Sequence, residues 1–264
     1  MEPFEDITVV TEDGIKIRCY LIQKKDSETY ADARGTIILF HGNSADRGDL
    51  LEPFASQWWN EYNVLLAEYR GYGLSEGTPT EKRCPVVDYV RHHPLLSVLP
   101  IILYGHSLGG AVAIHVASEN SDKIDALILE NTFASLAAVV RDIPIVGWPL
   151  SVFCPDKWNS VEKISRIPQD IPILLLGGMK DEVLKLHHMK SLWRAVKKRN
   201  ATKSLQNSSQ TGGEEKEAGD LYAVQDQFII FPDGLHSTTH EESGYWTVTF
   251  GFLDSVQNWR SIQK

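Results

Sequence analysis

The 264-residue sequence predicts an α/β fold: a mostly parallel central sheet with an antiparallel N-terminal hairpin, helices on both faces and a small cap. Three observations lead there. Short apolar, β-branched runs recur between turn residues, as in strands buried on both faces. Segments with helical spacing alternate with those runs, the pattern of a parallel sheet covered on both sides. The length suits one large α/β domain, residues 1–264, better than two ordinary ones.

The hairpin comes first. Residues Ile7 to Ile22 read as two β runs around Glu12-Asp13-Gly14, with an Asp-Gly pair of the kind that closes hairpins. The buried strands follow as Thr36 to Phe40, Val64 to Tyr69, Ile101 to Tyr104, Ala126 to Leu129, Ile173 to Leu176 and Phe228 to Phe231. Helices are expected over Asp49 to Trp59, Pro85 to His93, Leu108 to Ser118, His187 to Lys198 and Tyr245 to Trp259. In such a sheet the ligand site forms at the carboxyl ends of the strands, so the residues just after each strand carry the interest.

Two stretches break the alternation. Residues 132–168 contain prolines that argue against one long helix, and they read as a cap whose apolar stretch Ile143 to Phe153 is placed to meet a substrate or a bilayer. Residues 200–226, rich in Ser, Gln, Gly and Glu, read as a disordered surface insertion, because they bury too little to offset the entropy of ordering.

Composition narrows the function classes. With 42% hydrophobic and 23% charged residues the chain can bury a sizeable core. The net charge of -9 repels phosphate backbones and gives no support to nucleic-acid binding. Cys19, Cys84 and Cys154 are too few and too scattered for a disulfide framework or a Cys-based metal site, and they read as reduced packing residues. The chain opens without the basic start and apolar run of a signal peptide. No apolar run reaches the roughly 18 residues of a membrane span, so a cytoplasmic or peripheral membrane location is expected.

The chemistry gathers at Gly105-His106-Ser107-Leu108-Gly109, between the strand Ile101 to Tyr104 and a helix of small residues. A serine on so tight a turn is forced into a strained backbone, and side chains two positions away would collide with neighbouring chain, hence the flanking glycines. The following helix aims its leading amides at the nucleophile and favours developing negative charge.

Serine needs a base. His236 lies after the last strand, on the loop that follows Pro232-Asp233-Gly234-Leu235, and His240 competes from nearby. The acid that orients the imidazole is expected just past a strand end, where Asp181 sits, with Glu182 and then Glu130 as rivals. His92, His93, His115, His187 and His188 fall within helical segments and read as surface or packing residues. Oxyanion donors are expected from the Asn43 and Leu108 amides, with His41 a structural support. The block Glu68 to Ser75, with its two glycines, reads as scaffold beneath the site.

In combination these motifs resemble the α/β-hydrolase superfamily along nearly the whole chain, Val9 to Trp259. Within it, His41-Gly42-Asn43, Tyr69 to Pro79, Gly105 to Gly110, Leu129 to Phe133 and Lys180 to Val183 are similar to the bud-emergence type of fungal and plant hydrolases, akin to mammalian abhydrolase-domain proteins. The resemblance implies hydrolysis of an ester or thioester of an acyl lipid or acylated protein, with Ser107, Asp181 and His236 as the triad. Such a triad needs no metal or cofactor, and the apolar stretch Ile143 to Phe153 leads to an expectation of peripheral membrane contact. A peptidase of the same fold, or a binding protein that retains it, are the other classes open. Against that family the segment Glu81 to Val90 is short, so Cys84-Pro85 enters its helix abruptly and a loss of stability is expected there.

Overall fold

A strand buried on both faces reads as a nearly continuous apolar run. Thr36–Phe40 (β3), Asn63–Ala67 (β4) and Ile173–Gly178 (β7) are buried at every position in the computed structural model, which describes residues 4–43, 56–81, 84–143, 158–208 and 224–263. The chain divides into two compact units, Met1–Asp125 and Ala126–Lys264.

The first unit holds Phe4–Val10 (β1), Lys16–Ile22 (β2), β3, β4 and Ile101–His106 (β5), in the order β1-β2-β4-β3-β5. β1 and β2 form the expected antiparallel hairpin, with Val10 opposite Lys16, and β2 continues antiparallel onto β4. The Asp-Gly pair does not make a tight two-residue turn. Thr11 closes onto Ile15 instead, the Thr11 N–H donating to the Ile15 carbonyl at 2.9 Å, and Gly14 takes the left-handed conformation at φ +80° that a longer loop requires. β3 lies parallel to both β4 and β5, which brings the ends of β3 and β5 level, with Phe40 opposite Gly105.

Packing follows from this register. Trp58, Tyr62 and Tyr104 are fully buried, and Trp58 meets the other two rings edge-on at 6.3 and 6.1 Å. Each fully buried Leu, Ile or Val of the sheet contributes about 1.5–3 kcal/mol. Helices Ser56–Trp58 (α1), Val86–His92 (α2) and Leu108–Glu119 (α3) belong to this unit.

The abrupt entry at Cys84-Pro85 produces a helix of seven residues, and it is well anchored. Val86, Val87 and Val90 are buried, and Pro85 takes the N-cap position, where a missing N–H costs little. Arg91 donates to the Lys123 carbonyl at 2.8 Å and the Ser97 carbonyl at 3.1 Å, and Lys123 pairs with Asp88 at 2.7 Å. Burial pushes the Cys84 thiol up to about 11, and Cys19 higher still, so both stay protonated packing residues at neutral pH. Cys154 lies outside the described residues.

The second unit holds Ala126–Glu130 (β6), β7 and Gln227–Phe231 (β8), all parallel, in that order. The cap expected at 132–168 contributes two short helices here, Leu136–Arg141 (α4) and Ser160–Ile164 (α5), N-capped by the side chains of Ser135 and Asn159. Most of its apolar stretch, residues 144–153, lies outside the described residues.

The insertion departs from expectation at both ends. Helix His187–Ser208 (α6) runs ten residues beyond the expected Lys198, because nothing up to Ser208 breaks it and Ala201, Lys203, Leu205 and Gln206 favour helix. Residues 209–223 lie outside the described residues. At the far end Asp226 is buried: it accepts the Ile173 N–H at 2.8 Å and pairs at 2.6 Å with Arg199, side-chain exposures 5% and 2%. Arg199 also donates to the carbonyls of Ile167, Pro168 and Ile171. A polar composition concealed this staple, since only the pairing of two distant charges makes their burial tolerable. The last helix is Tyr245–Gln263 (α7).

Asp226→Ala leaves the Arg199 guanidinium buried without its carboxylate, so urea denaturation is expected to show a loss of about 3–5 kcal/mol. A loss below about 1 kcal/mol, the value of an exposed pair, would contradict the buried staple.

Candidate active site

In the first unit, chain direction reverses between β5 and α3 over a single residue. Ser107 takes φ 55° and ψ −121°, a region that side chains other than hydrogen rarely enter, at a cost of about 1–3 kcal/mol. The neighbouring glycines allow it. A Cβ at Gly109 would lie 2.0 Å from the Phe40 carbonyl oxygen, and one at Gly105 would lie 2.4 Å from that of Gly109. The steric reading of the pentapeptide therefore holds atom by atom.

The same closeness brings the β3 loop to the serine. A Cβ on Gly42 would stand 3.4 Å from the Ser107 Cβ. Leu108 opens α3, where leading amides have no carbonyl one turn back to bond. Asn43 follows Gly42 directly, and its side-chain Oδ1 accepts the Tyr72 hydroxyl at 2.9 Å. His41 is buried, donates from Nδ1 to the Gly42 carbonyl at 2.7 Å, and stacks on Tyr69 at 4.5 Å, as fits a support. Tyr69 in turn donates to the His41 carbonyl at 2.5 Å. The Glu68 to Ser75 block thus does more than pack: two of its tyrosines hold the His41-Gly42-Asn43 loop from the side. Gly73, at φ +53°, makes room for the Glu68 carboxylate, 2.7 Å from where a Cβ would be.

In the second unit the structure brings Asp181 and His236 together. Asp181 Oδ2 accepts from His236 Nδ1 at 2.9 Å, with side-chain exposures of 1% and 9%. The other carboxylate oxygen is fully engaged, accepting the Val183 and Leu184 N–H groups at 2.8 and 2.7 Å. Held so, the carboxylate fixes the orientation of the ring through Nδ1. The rivals have other partners. Glu182 accepts the His236 backbone N–H at 3.1 Å, and Glu130, buried, accepts the Tyr245 hydroxyl. His240 is buried with its ring edge-on to Tyr245 at 6.5 Å.

Asn131 is the residue sequence reading did not single out. At φ 44°, a conformation asparagine tolerates, its Oδ1 accepts the Gly178 N–H at 2.8 Å. Its Nδ2 lies within 3.1 Å of the carbonyls of Leu235 and His236 and 2.9 Å from the Thr239 hydroxyl. One buried amide thus ties the strand end that leads to Asp181 to the loop that carries His236. Gly178 and Gly234 let the two loops touch, a Cβ on Gly178 falling 2.4 Å from the Gly234 carbonyl oxygen. The signal in sequence was an asparagine directly after a buried strand, a place where a polar side chain must find partners.

Fold and residues define the class, and comparison with known proteins agrees. Residues 31–166 match the family described as serine aminopeptidase S33, Hydrolase_4, and the chain belongs to that family of α/β hydrolases. Protein bem46 of Schizosaccharomyces pombe is 32% identical over 258 residues, covering 95% of this chain and 76% of the relative. The alpha/beta hydrolase domain-containing protein WAV2 of Arabidopsis thaliana is 29% identical over 274 residues, covering 95% and 79%. Among solved structures, the Pyrococcus furiosus esterase Pf2001 superposes with a TM-score of 0.66 at 18% identity, over 96% of this chain and 90% of that one, a likeness of fold. The resemblance to fungal and plant abhydrolase-domain proteins is thereby established. Among the described residues, no helix is long and apolar enough to cross a membrane.

If the Ser107 backbone is strained as its dihedrals indicate, Ser107→Gly raises stability by about 1–3 kcal/mol in urea denaturation. An equal or lower stability would remove the strain from the account.

Proposed function

We propose that the chain is a serine hydrolase that cleaves a carboxylic ester or thioester of an acyl lipid or acylated protein through an acyl-enzyme. His236 accepts the Ser107 proton as Oγ attacks the acyl carbonyl. The amides of Asn43 and Leu108 donate to the oxyanion, a contribution of about 3–4 kcal/mol each. His236 then returns the proton to the leaving group, and water, activated by the same imidazole, releases the acid. Asp181 keeps the ring in the tautomer with its proton on Nδ1 throughout. The observation that carries this reading is the strained φ of Ser107, a cost that a mere turn would avoid by using glycine.

Apolar side chains beside the acid and base favour an acyl group. Met179, Val183 and Leu235, within two residues of Asp181 or His236, are 56%, 61% and 42% exposed, and Ile143 at the start of the apolar cap stretch is 47% exposed. Large apolar groups left in water so close to chemistry are a place for a chain or a bilayer surface to rest, which supports peripheral membrane contact. The family description supports a second reading, an aminopeptidase, because the same triad cleaves amides.

Turnover of p-nitrophenyl esters of graded length tests both. Medium and long acyl esters are expected to be hydrolysed faster than acetate, with Ser107→Ala lowering kcat by at least about 1000-fold. Faster acetate turnover would remove the acyl-chain reading, and preference for aminoacyl amides over all esters would establish the peptidase. Val183→Asp and Leu235→Asp are expected to raise KM for the long esters several-fold while leaving acetate unchanged.

A further inference from the structure

Besides the Asp181–His236 pair, the second unit gathers three metal-ligating side chains. Asp142 caps the C-terminus of α4, while His187 and His188 open α6. Asp142 Oδ2 lies 3.3 Å from Nε2 of each histidine, and one ligand atom from each residue falls within 4.8 Å of the other two. We propose that Asp142, His187 and His188 form a binding site for a divalent transition-metal ion of the zinc type, which pins the end of α4 to the start of α6.

The geometry has room for a metal ion between these groups. Asp142 Oδ2 and His188 Nε2 are both buried, yet neither has a hydrogen-bond partner although they stand 3.3 Å apart. An imidazole donating in line to a carboxylate would draw in to about 2.7–2.9 Å. Two ligands on adjacent corners of a tetrahedron, each about 2.0–2.1 Å from zinc, lie about 3.3–3.4 Å apart, with the oxygen off the axis of the nitrogen lone pair. The observed edge has that length.

The donor set also fits. Two imidazoles and one carboxylate suit a borderline cation and leave a fourth position for water. His188 is 1% exposed, so packing holds its ring in place beside Asp142. His187 is 52% exposed, its ring 4.3 Å from that of His188, and is free to complete the edge. Lys185 Nζ, 4.0 Å from the same Asp142 oxygen and 64% exposed, can swing into solvent when a cation enters. The Ala134 N–H donates to His188 Nδ1 across a long 3.4 Å, a contact a metal-bound ring would give up as its proton moves to Nδ1, small against a metal–nitrogen bond. Sequence reading missed the cluster because the third ligand lies 45 residues upstream of the histidine pair.

Zinc titration of the chelator-treated full chain by calorimetry, with cobalt substitution read by visible absorption, tests the site. One saturable zinc per chain, a tetrahedral cobalt spectrum and a zinc-dependent rise in Tm are expected, each at least tenfold weaker in Asp142→Asn and in His187→Ala. These two variants carry the test because His188→Ala opens a buried position. Ser107→Ala is expected to bind zinc as the parent does, so the outcome stands apart from the hydrolase reading. Absence of saturable binding, or binding unchanged in Asp142→Asn and His187→Ala, would overturn the proposal.

Discussion

The contact between Gly109 and the Phe40 carbonyl sets the first unit. With room for a hydrogen and nothing larger, it seats the N-terminal turn of α3 directly on the end of β3, and it fixes where Ser107 must turn. The parallel register of β3 and β5 makes the contact possible, since Phe40 and Gly105 stand level. A side chain at Gly105 or Gly109 would force the helix away and relax the elbow. Local strain is thus held in place by the packing of apolar strands on either side, a use of core energy to maintain a costly conformation.

The second unit solves a different problem with similar means. Asp181 and His236 arrive on separate loops, after β7 and β8, and loops alone hold geometry poorly. Backbone contact at Gly178 and Gly234, together with the four polar partners of Asn131, joins the loops into one body. Every polar atom of that amide is satisfied in a buried setting, where an unmade bond would be expensive. Asp181 itself is held by two backbone amides, which fixes the carboxylate that meets His236.

Much of this was legible in the sequence where one rule decides the outcome. Continuous apolar runs marked the parallel strands, and the order of elements followed from their alternation with helical segments. The strained turn at Ser107 and the meeting of Asp181 with His236 were legible because each of these residues sits just beyond a strand end. What stayed hidden depended on partners far away in the chain. Arg199 and Asp226 look like surface charges until they are seen paired, and residues to Ser208 look like loop by composition although their helix propensity favours α6. Asn131 and the cluster of Asp142, His187 and His188 likewise take their meaning from tertiary proximity, which periodicity cannot report. The short entry at Cys84-Pro85 reads as a defect from spacing alone, and Arg91 and Lys123 show how it is braced.

The central claim is that Ser107 is an activated nucleophile. Intact-mass measurement after brief exposure to a fluorophosphonate probe tests it most directly, with the site located by peptide sequencing. One adduct on Ser107, absent in His236→Ala, is the result this account predicts. A folded protein that takes up no probe, or carries it on another residue, would contradict it.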